Sequence, residues 1–175
     1  VILIDEWPAL GGSLAYARVD GEGRRADALL GELLRQVQAA SNIHVLSDAP
    51  CTGWFGDNWL AVVRGNRFYK LRAKSAVIAT GSLEQPAVFR NNDLPGVMLG
   101  SAAQRLIRQY GIRPGRRAVV MTANADGYGV ALDLLDAGVS VGAVVDLRSA
   151  PERDPRYEKV AALGTRILPG HTVSQ

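Results

Sequence analysis

One pattern occurs twice in this chain and limits its fold more than any other feature: a short apolar run, a helix-spaced stretch, then a second apolar run. Near the start, Val1-Ile2-Leu3-Ile4 is continuously apolar and ends in Asp5-Glu6. Such runs suit strands buried on both faces, as in parallel sheets. Pro8, Gly11 and Gly12 then break the chain into a loop. From Arg24 to Ala40, Leu29, Leu30, Leu33, Leu34 and Val37 recur on one helical face, with Arg25, Glu32, Arg35 and Gln36 opposite. Asn42 turns the chain into Ile43-His44-Val45-Leu46. Near the other end, Arg117 to Thr122 reads as a strand and Gly127 to Ala137 as a helix ended by Gly138. Val139 to Val145 is a strand ending in Asp146, Asp154 to Leu163 a helix, and Thr165 to Leu168 a short strand. Strands alternating with helices predict an α/β fold with right-handed crossovers.

Between these passages the punctuation changes. Trp59-Leu60-Ala61-Val62-Val63, then Arg64-Gly65-Asn66, then Phe68-Tyr69-Lys70-Leu71 reads as a β-hairpin inserted in the first passage. Ala76-Val77-Ile78-Ala79 is a further apolar strand ending in Thr80-Gly81. Pro86, Asn91, Asn92, Pro95 and Gly96 make Ser82 to Gly96 an irregular connection. Ser101 is placed to cap a helix through Tyr110 that Gly111 closes. The expected domains are a first lobe over 1–96, with the small β insert, and a second over 97–175.

Composition removes several function classes. The 20 basic and 17 acidic residues give a formal charge of +3, and Lys and Arg look scattered along the sequence. No nucleic-acid motif is present, so no nucleic-acid partner is expected. No apolar run approaches the roughly 18 residues of a membrane span, so no membrane partner is expected either. Cys51 is the single cysteine, which fits a reducing, cytoplasmic setting. The chain opens on Val1 with neither an initiator Met nor a basic leader. It reads as the middle of a longer polypeptide.

Asp5 and Glu6 are the first candidates for chemistry. In dinucleotide-binding sheets an acid at the end of the second strand accepts hydrogen bonds from the adenosine ribose. A glycine loop should precede it by about 20 residues, and the sequence starts too late to contain one. Gly11-Gly12 and the strand end Ala79-Thr80-Gly81 are small enough to let backbone approach a cofactor. The run Asp5 to Ser13 looks like the loop after the second strand in two-dinucleotide flavoproteins. Ala79-Thr80-Gly81-Ser82-Leu83-Glu84-Gln85-Pro86, Phe89, Asn91-Asn92-Asp93-Leu94-Pro95-Gly96-Val97-Met98-Leu99, Ser101-Ala102-Ala103 and Tyr110-Gly111 extend that likeness. Together they resemble the alpha subunit of heterotetrameric sarcosine oxidase, across essentially the whole chain. Opine oxidase and hydrogen cyanide synthase subunits share the layout and match less well.

The resemblance implies a Rossmann-like FAD/NAD(P)-binding three-layer fold, cut before its first glycine loop. It implies NAD in the parent subunit, FAD and FMN elsewhere in the complex, and beta and smaller subunits as partners. It also implies tetrahydrofolate bound by a region outside this chain. Carried over by residue, Asp5 and Glu6 would hold the ribose and Trp7 and Ser13 would line the pocket. Cys51, on the strand after the helix, would offer backbone to the adenine, and Thr80 and Gly81 would close the site. The implied reaction is oxidative demethylation of sarcosine to glycine, formaldehyde and hydrogen peroxide. No catalytic residue is visible. The chain on its own is expected to bind NAD weakly or not at all.

A second fingerprint should follow the strand starting at Arg117. Its three glycine positions fall on Thr122, Asn124 and Gly127, so only the last is glycine. Asp126 adds negative charge where a phosphate would sit. The second site is therefore expected to keep the fold without the cofactor, with Asp146 a relic. Cys51 as a thiol, His44 and His171 belong to no reactive constellation. Trp54, Phe55 and Trp59 read as core or subunit contact, and Arg113-Pro114-Gly115-Arg116-Arg117 as a solvated turn. Two other readings stand: a disulfide or ferredoxin reductase piece, and a noncatalytic assembly module. The first would need a Cys-x-x-Cys or an intact second glycine loop, and neither is present.

Overall fold

In the computed structural model, residues 1–18 and 25–174 are described. Arg24, the expected first residue of the leading helix, lies outside them. The chain forms two compact units, one of residues 1–12 and 29–82, the other of 13–28 and 83–175. Segment 83–96, expected in the first lobe, is grouped with the second unit by compactness.

In the first unit, β1 (Ile2–Ile4) and β2 (His44–Leu46) are parallel neighbours, with Ile2 opposite His44 and Ile4 opposite Leu46. The helix α1 (Arg25–Ala39) is the crossover between them. β1 was expected to be buried on both faces, yet Ile2 is 48% exposed. Among the described residues its sheet has only two strands, so β1 is an edge strand with a partner on one side. The apolar stripe of α1 is likewise incompletely covered: Leu30, Leu34 and Val37 are half-buried, while Leu29 and Leu33 stay exposed.

The insert is a three-stranded antiparallel meander, β3 (Cys51–Phe55), β4 (Trp59–Arg64) and β5 (Arg67–Arg72). Arg64 faces Arg67, and Gly65 takes a positive φ of 56° at the first central turn position, the place where such a hairpin favours glycine. Cys51, expected on the strand after the helix, instead opens β3, one strand further along the chain than β2. The strand expected at Ala76–Ala79 does not form. No described strand lies beside it to accept its backbone hydrogen bonds, and Val77 is 92% exposed.

In the second unit, β6 (Arg117–Thr122), β7 (Ser140–Asp146) and β8 (Arg166–Pro169) form a parallel sheet in that order. The helix α3 (Asp126–Asp136) packs on β6 and β7 and against α2 (Gly100–Tyr110) and α4 (Pro155–Ala162). Every residue of α3 from Gly127 to Leu134 is buried, and Tyr128, Leu132, Val144 and Val160 form the centre of the core. Gly111 closes α2 in the left-handed region, as its position suggested. The other end of α2 differs from expectation. Ser101 lies within the helix, Leu99 occupies the N-cap, and the carboxylate of Glu84 accepts the N–H groups of Gly100 and Ser101 at 2.9 and 2.8 Å. A negative charge there suits both the unpaired donors and the helix dipole. No helix among the described residues is long and apolar enough to cross a membrane.

Candidate functional site

Asp5 stands immediately after β1, at the carboxyl end of a parallel strand, where open α/β sheets bind their ligands. Its N–H donates to the Leu46 carbonyl at 2.9 Å, and its carbonyl accepts the Ala49 N–H at 3.0 Å. One step on, the Trp7 carbonyl accepts the Asp48 N–H at 2.9 Å. The loops after β1 and β2 are thus clasped together, with Asp48 in the left-handed region at φ 53°. The Asp5 carboxylate folds onto its own turn, Oδ1 accepting the Trp7 N–H at 2.9 Å. Oδ2 takes no hydrogen bond from the described residues. Glu6 and Trp7 are exposed beside it.

The other expected residues are placed as follows. Cys51 opens β3 two residues beyond the clasp, exposed, with its thiol donating weakly to the Gly53 carbonyl at 3.5 Å. Ser13 lies in a turn of 3-10 helix (Gly12–Ala15), its carbonyl accepting from Tyr16 and Ala17. Thr80 and Gly81 are exposed in irregular chain, Gly81 with a φ of 72°, and no hydrogen bond among the described residues ties them to β1. Asp5, Glu6 and Trp7 are therefore brought together with Asp48 and Ala49, a grouping the sequence reading missed. The turn-forming run Ser47-Asp48-Ala49-Pro50 was its one signal.

The donor set at Asp5 fits the ribose of a dinucleotide. A strand-end carboxylate with an unengaged oxygen suits ribose hydroxyls, which donate. The pyrophosphate half of a dinucleotide is bound by a row of backbone N–H groups at a helix N-terminus. Gly12 and Gly81 both have positive φ and open space around the position of a Cβ.

The second nucleotide-type loop is filled by its own side chains. Thr122 Oγ1 donates to the Asn124 carbonyl at 2.9 Å, and Asn124 Oδ1 accepts the Asp126 N–H at 3.0 Å. Gly127 is required by packing, since a Cβ there would lie 2.3 Å from Cβ of Thr122. That is the helix-to-strand approach served by the third glycine of the fingerprint. The strand-end acid Asp146 is fully buried. It accepts the Tyr128 hydroxyl at 2.5 Å and three N–H groups of Arg148 at 2.7, 2.9 and 3.0 Å. Burial alone would raise the Asp146 pKa, but the hydrogen bonds from Arg148 and Tyr128 outweigh it and hold the carboxyl below its ordinary value. Tyr128 is pushed well above the usual phenol range, by burial first and then by its bond to Asp146.

A buried polar cluster on α3 also escaped the sequence reading. Asp133 accepts from Arg18 Nε at 2.9 Å, Gln104 at 2.8 Å and Arg108 at 2.9 Å, and Arg18 also pairs with Asp136. An acid inside the apolar run Val130-Ala131-Leu132-Asp133-Leu134-Leu135 was its signal. The described residues contain no group of acids, histidines and cysteine suited to a metal.

No family model matches the chain. Against curated proteins, it is 34% identical over 170 residues to the sarcosine oxidase alpha subunit of Rhizobium meliloti (strain 1021), covering 89% of this chain and 17% of that protein. With the corresponding protein of Corynebacterium sp. (strain P-1) it shares 32% identity, over 99% of this chain and 19% of that protein. The chain matches one stretch of the sarcosine oxidase alpha subunit. It spans less than a fifth of the length of these two relatives. An opine oxidase subunit of Agrobacterium tumefaciens (strain Ach5) is more distant, 28% identical over 87% of the chain and 33% of that protein.

Solved structures show the fold. L-proline dehydrogenase from P. horikoshii superposes with a TM-score of 0.69 at 24% identity, over 89% of this chain and 32% of that one. A NAD-dependent persulfide reductase from A. fulgidus gives 0.68 at 19%, over 99% and 35%. Thioredoxin reductase from T. acidophilum gives 0.63 at 13%, over 99% and 57%. The architecture is the Rossmann-like α/β fold of FAD/NAD(P)-binding oxidoreductases, as the sequence reading expected.

Proposed function

We propose that this chain is the NAD-binding and scaffolding portion of an alpha subunit whose complex oxidatively demethylates sarcosine. Sarcosine, water and dioxygen would yield glycine, formaldehyde and hydrogen peroxide. The observation that carries the reading is the 34% identity to a sarcosine oxidase alpha subunit over 89% of the chain. The strand-end position of Asp5 supports the nucleotide part of it.

In this reading Asp5 and Glu6 accept the ribose hydroxyls and Trp7 and Ser13 line the pocket. Cys51 offers backbone to the adenine, and Thr80 and Gly81 close the site. The flavins of the complex, FAD and FMN, supply the two-electron acceptor for amine oxidation, and no residue of this chain is assigned to that step. The beta and smaller subunits are the partners, tetrahydrofolate is bound by a region outside the chain, and the setting is cytoplasmic. Asp146, Thr122 and Asn124 are spent on internal contacts, which supports a second lobe without cofactor. Opine oxidase is the second reading, favoured only by its weaker similarity.

The test uses the full-length subunit expressed with its genomic neighbours. Cofactor released by acid is identified by mass spectrometry while peroxide production from sarcosine is followed. NAD and flavin with sarcosine-dependent peroxide is the expected result. Flavin without NAD, and no turnover of sarcosine, would replace it with the opine or related amine oxidase reading.

A further inference from the structure

The meander concentrates charge that looked scattered along the sequence. Between Cys51 and Lys74 stand five basic residues, Arg64, Arg67, Lys70, Arg72 and Lys74, against one acid, Asp57. The segment therefore carries +4 within a chain whose total is +3, and the remainder is close to neutral.

Directly opposed residues in antiparallel strands point to the same face. The register puts Phe55 opposite Trp59, Trp59 opposite Arg72, Ala61 opposite Lys70, and Val63 opposite Phe68. One face therefore presents Phe55, Trp59, Phe68, Lys70 and Arg72 around Gly53, Ala61 and Val63, while Arg64 and Arg67 pair on the other face. The other face holds the fully buried Val62 and is the inner one, with Trp54 exposed (54%) at its β3 edge. On the outer face Phe55 is 63% exposed, Phe68 59% and Trp59 40%. Of the two expectations for Phe55 and Trp59, core or subunit contact, this exposure removes the core. The Arg72 guanidinium lies 5.8 Å from the Trp59 ring centroid, and its pairing with Asp57 is long at 3.5 Å and solvated. A side chain at Gly53 would displace the exposed Phe55 ring, which lies 2.7 Å from its Cβ position.

Exposed aromatics beside Arg are the composition of binding hot spots. The charge selects among occupants. A second copy docked across a two-fold axis would set this basic face against itself, and like-charge juxtaposition is costly. The geometry points to this outer face of the β3–β4–β5 meander as the docking surface for an acidic surface of a partner subunit, with Trp59, Phe55 and Phe68 as apolar anchors and Lys70 and Arg72 as the charge readers. The inference rests on the reading of the chain as part of a multi-subunit oxidase.

The test takes the full-length subunit, both by itself and co-expressed with its genomic neighbours. Acylation of Lys70 by acetic anhydride, read by mass spectrometry, is expected to be several-fold slower in the complex than in the lone subunit. The Lys70→Glu/Arg72→Glu double substitution is expected to weaken assembly on the order of tenfold, and added salt to weaken wild-type assembly. A complex in which Lys70 labels at the lone-subunit rate overturns the docking surface while leaving the oxidase reading intact. Slow labelling in the lone subunit too would mean that its own chain covers the face, and copurified nucleic acid released by the double substitution would mean a polyanion does. Either overturns the proposal. If the wild-type chains form no complex at all, the multi-subunit reading and this inference fall together.

Discussion

Tyr128 on α3 donates its hydroxyl to Asp146 at the end of β7 at 2.5 Å, entirely inside the core. An acid at this strand end would face a ribose in a working nucleotide site, and here it faces inward. Tyr128→Phe removes one donor and leaves the carboxylate with Arg148, at a cost of about 1–3 kcal/mol for an under-satisfied buried group. Urea denaturation measures it. The acid limb gives a second readout. The Asp146 pKa is held down in the folded state, so its stabilisation is complete above the unfolded carboxyl value of about 3.9. That stabilisation is lost as pH falls through the lower folded value. With the Tyr128 bond gone the folded value rises toward the unfolded one, and acid unfolding should begin at higher pH. An unchanged acid midpoint would show that Arg148 alone sets this titration.

Gly127 and Thr122 should behave as a coupled pair. A Cβ on Gly127 would meet the Thr122 side chain at 2.3 Å, so Gly127→Ala should destabilise by about 1–3 kcal/mol through overpacking. Adding Thr122→Gly empties that space and restores a glycine to the fingerprint position. The double-mutant cycle should then show a favourable coupling of about 1 kcal/mol. Strict additivity would place the strain elsewhere.

The N-terminus of α2 separates two caps. Glu84→Ala removes both hydrogen bonds to Gly100 and Ser101 and should cost about 1 kcal/mol in thermal denaturation. Ser101→Ala, at the position that looked like the cap, should stay within about 0.5 kcal/mol of wild type.

The elements governed by local periodicity could be read from the sequence; those set by long-range partners could not. α1, α3, β4, β5, β6 and β7 follow from apolar spacing, and Gly65, Gly111 and Gly138 mark turns that need positive φ. Glu84 is 16 residues from Gly100 in an irregular segment, so nothing local announces it as a cap. Val77 and Ile78 have the composition of a buried strand, but a strand also needs a neighbour, and none is described beside them. At the candidate site, Asp5 was legible as an acid after an apolar run. Its clasp with Asp48 and Ala49 was not, because that depends on the parallel pairing of β1 with β2.

The Asp133 cluster should tolerate charge loss poorly. Arg18 has a side chain only 4% exposed and reaches Asp133 at 2.9 Å, with Arg108 on the same oxygen. Asp133→Asn leaves two guanidinium groups around a neutral amide, and breaking a buried pair costs about 3–5 kcal/mol. The second contact of Arg18, to Asp136, should hold the loss near the lower end. Urea unfolding of the single variant and of Asp133→Asn with Arg18→Met would show whether the stranded charge is responsible. If it is, the double variant recovers part of the loss; if the altered hydrogen bonds to Gln104 and Arg108 dominate, it does not.

The proposed role of Asp5 is tested in the full-length subunit, where the phosphate-binding loop can be supplied. Its carboxylate would accept two ribose hydroxyls, and hydrogen bonds to a charged acceptor contribute about 1.5–3 kcal/mol. Asp5→Ala should therefore weaken NAD binding by about ten- to a hundredfold in calorimetric titration, corresponding to that energy range. The substitution also removes the acceptor for the Trp7 N–H, so loss of affinity alone could reflect a disturbed turn. Asp5→Asn separates the two effects. Its side-chain oxygen still caps Trp7, while its amide group replaces one acceptor with a donor facing a donor. Retention of the fold with NAD affinity lost in both variants supports ribose recognition. Full affinity in Asp5→Asn would reduce Asp5 to a turn-forming residue and transfer the ribose contact to Glu6.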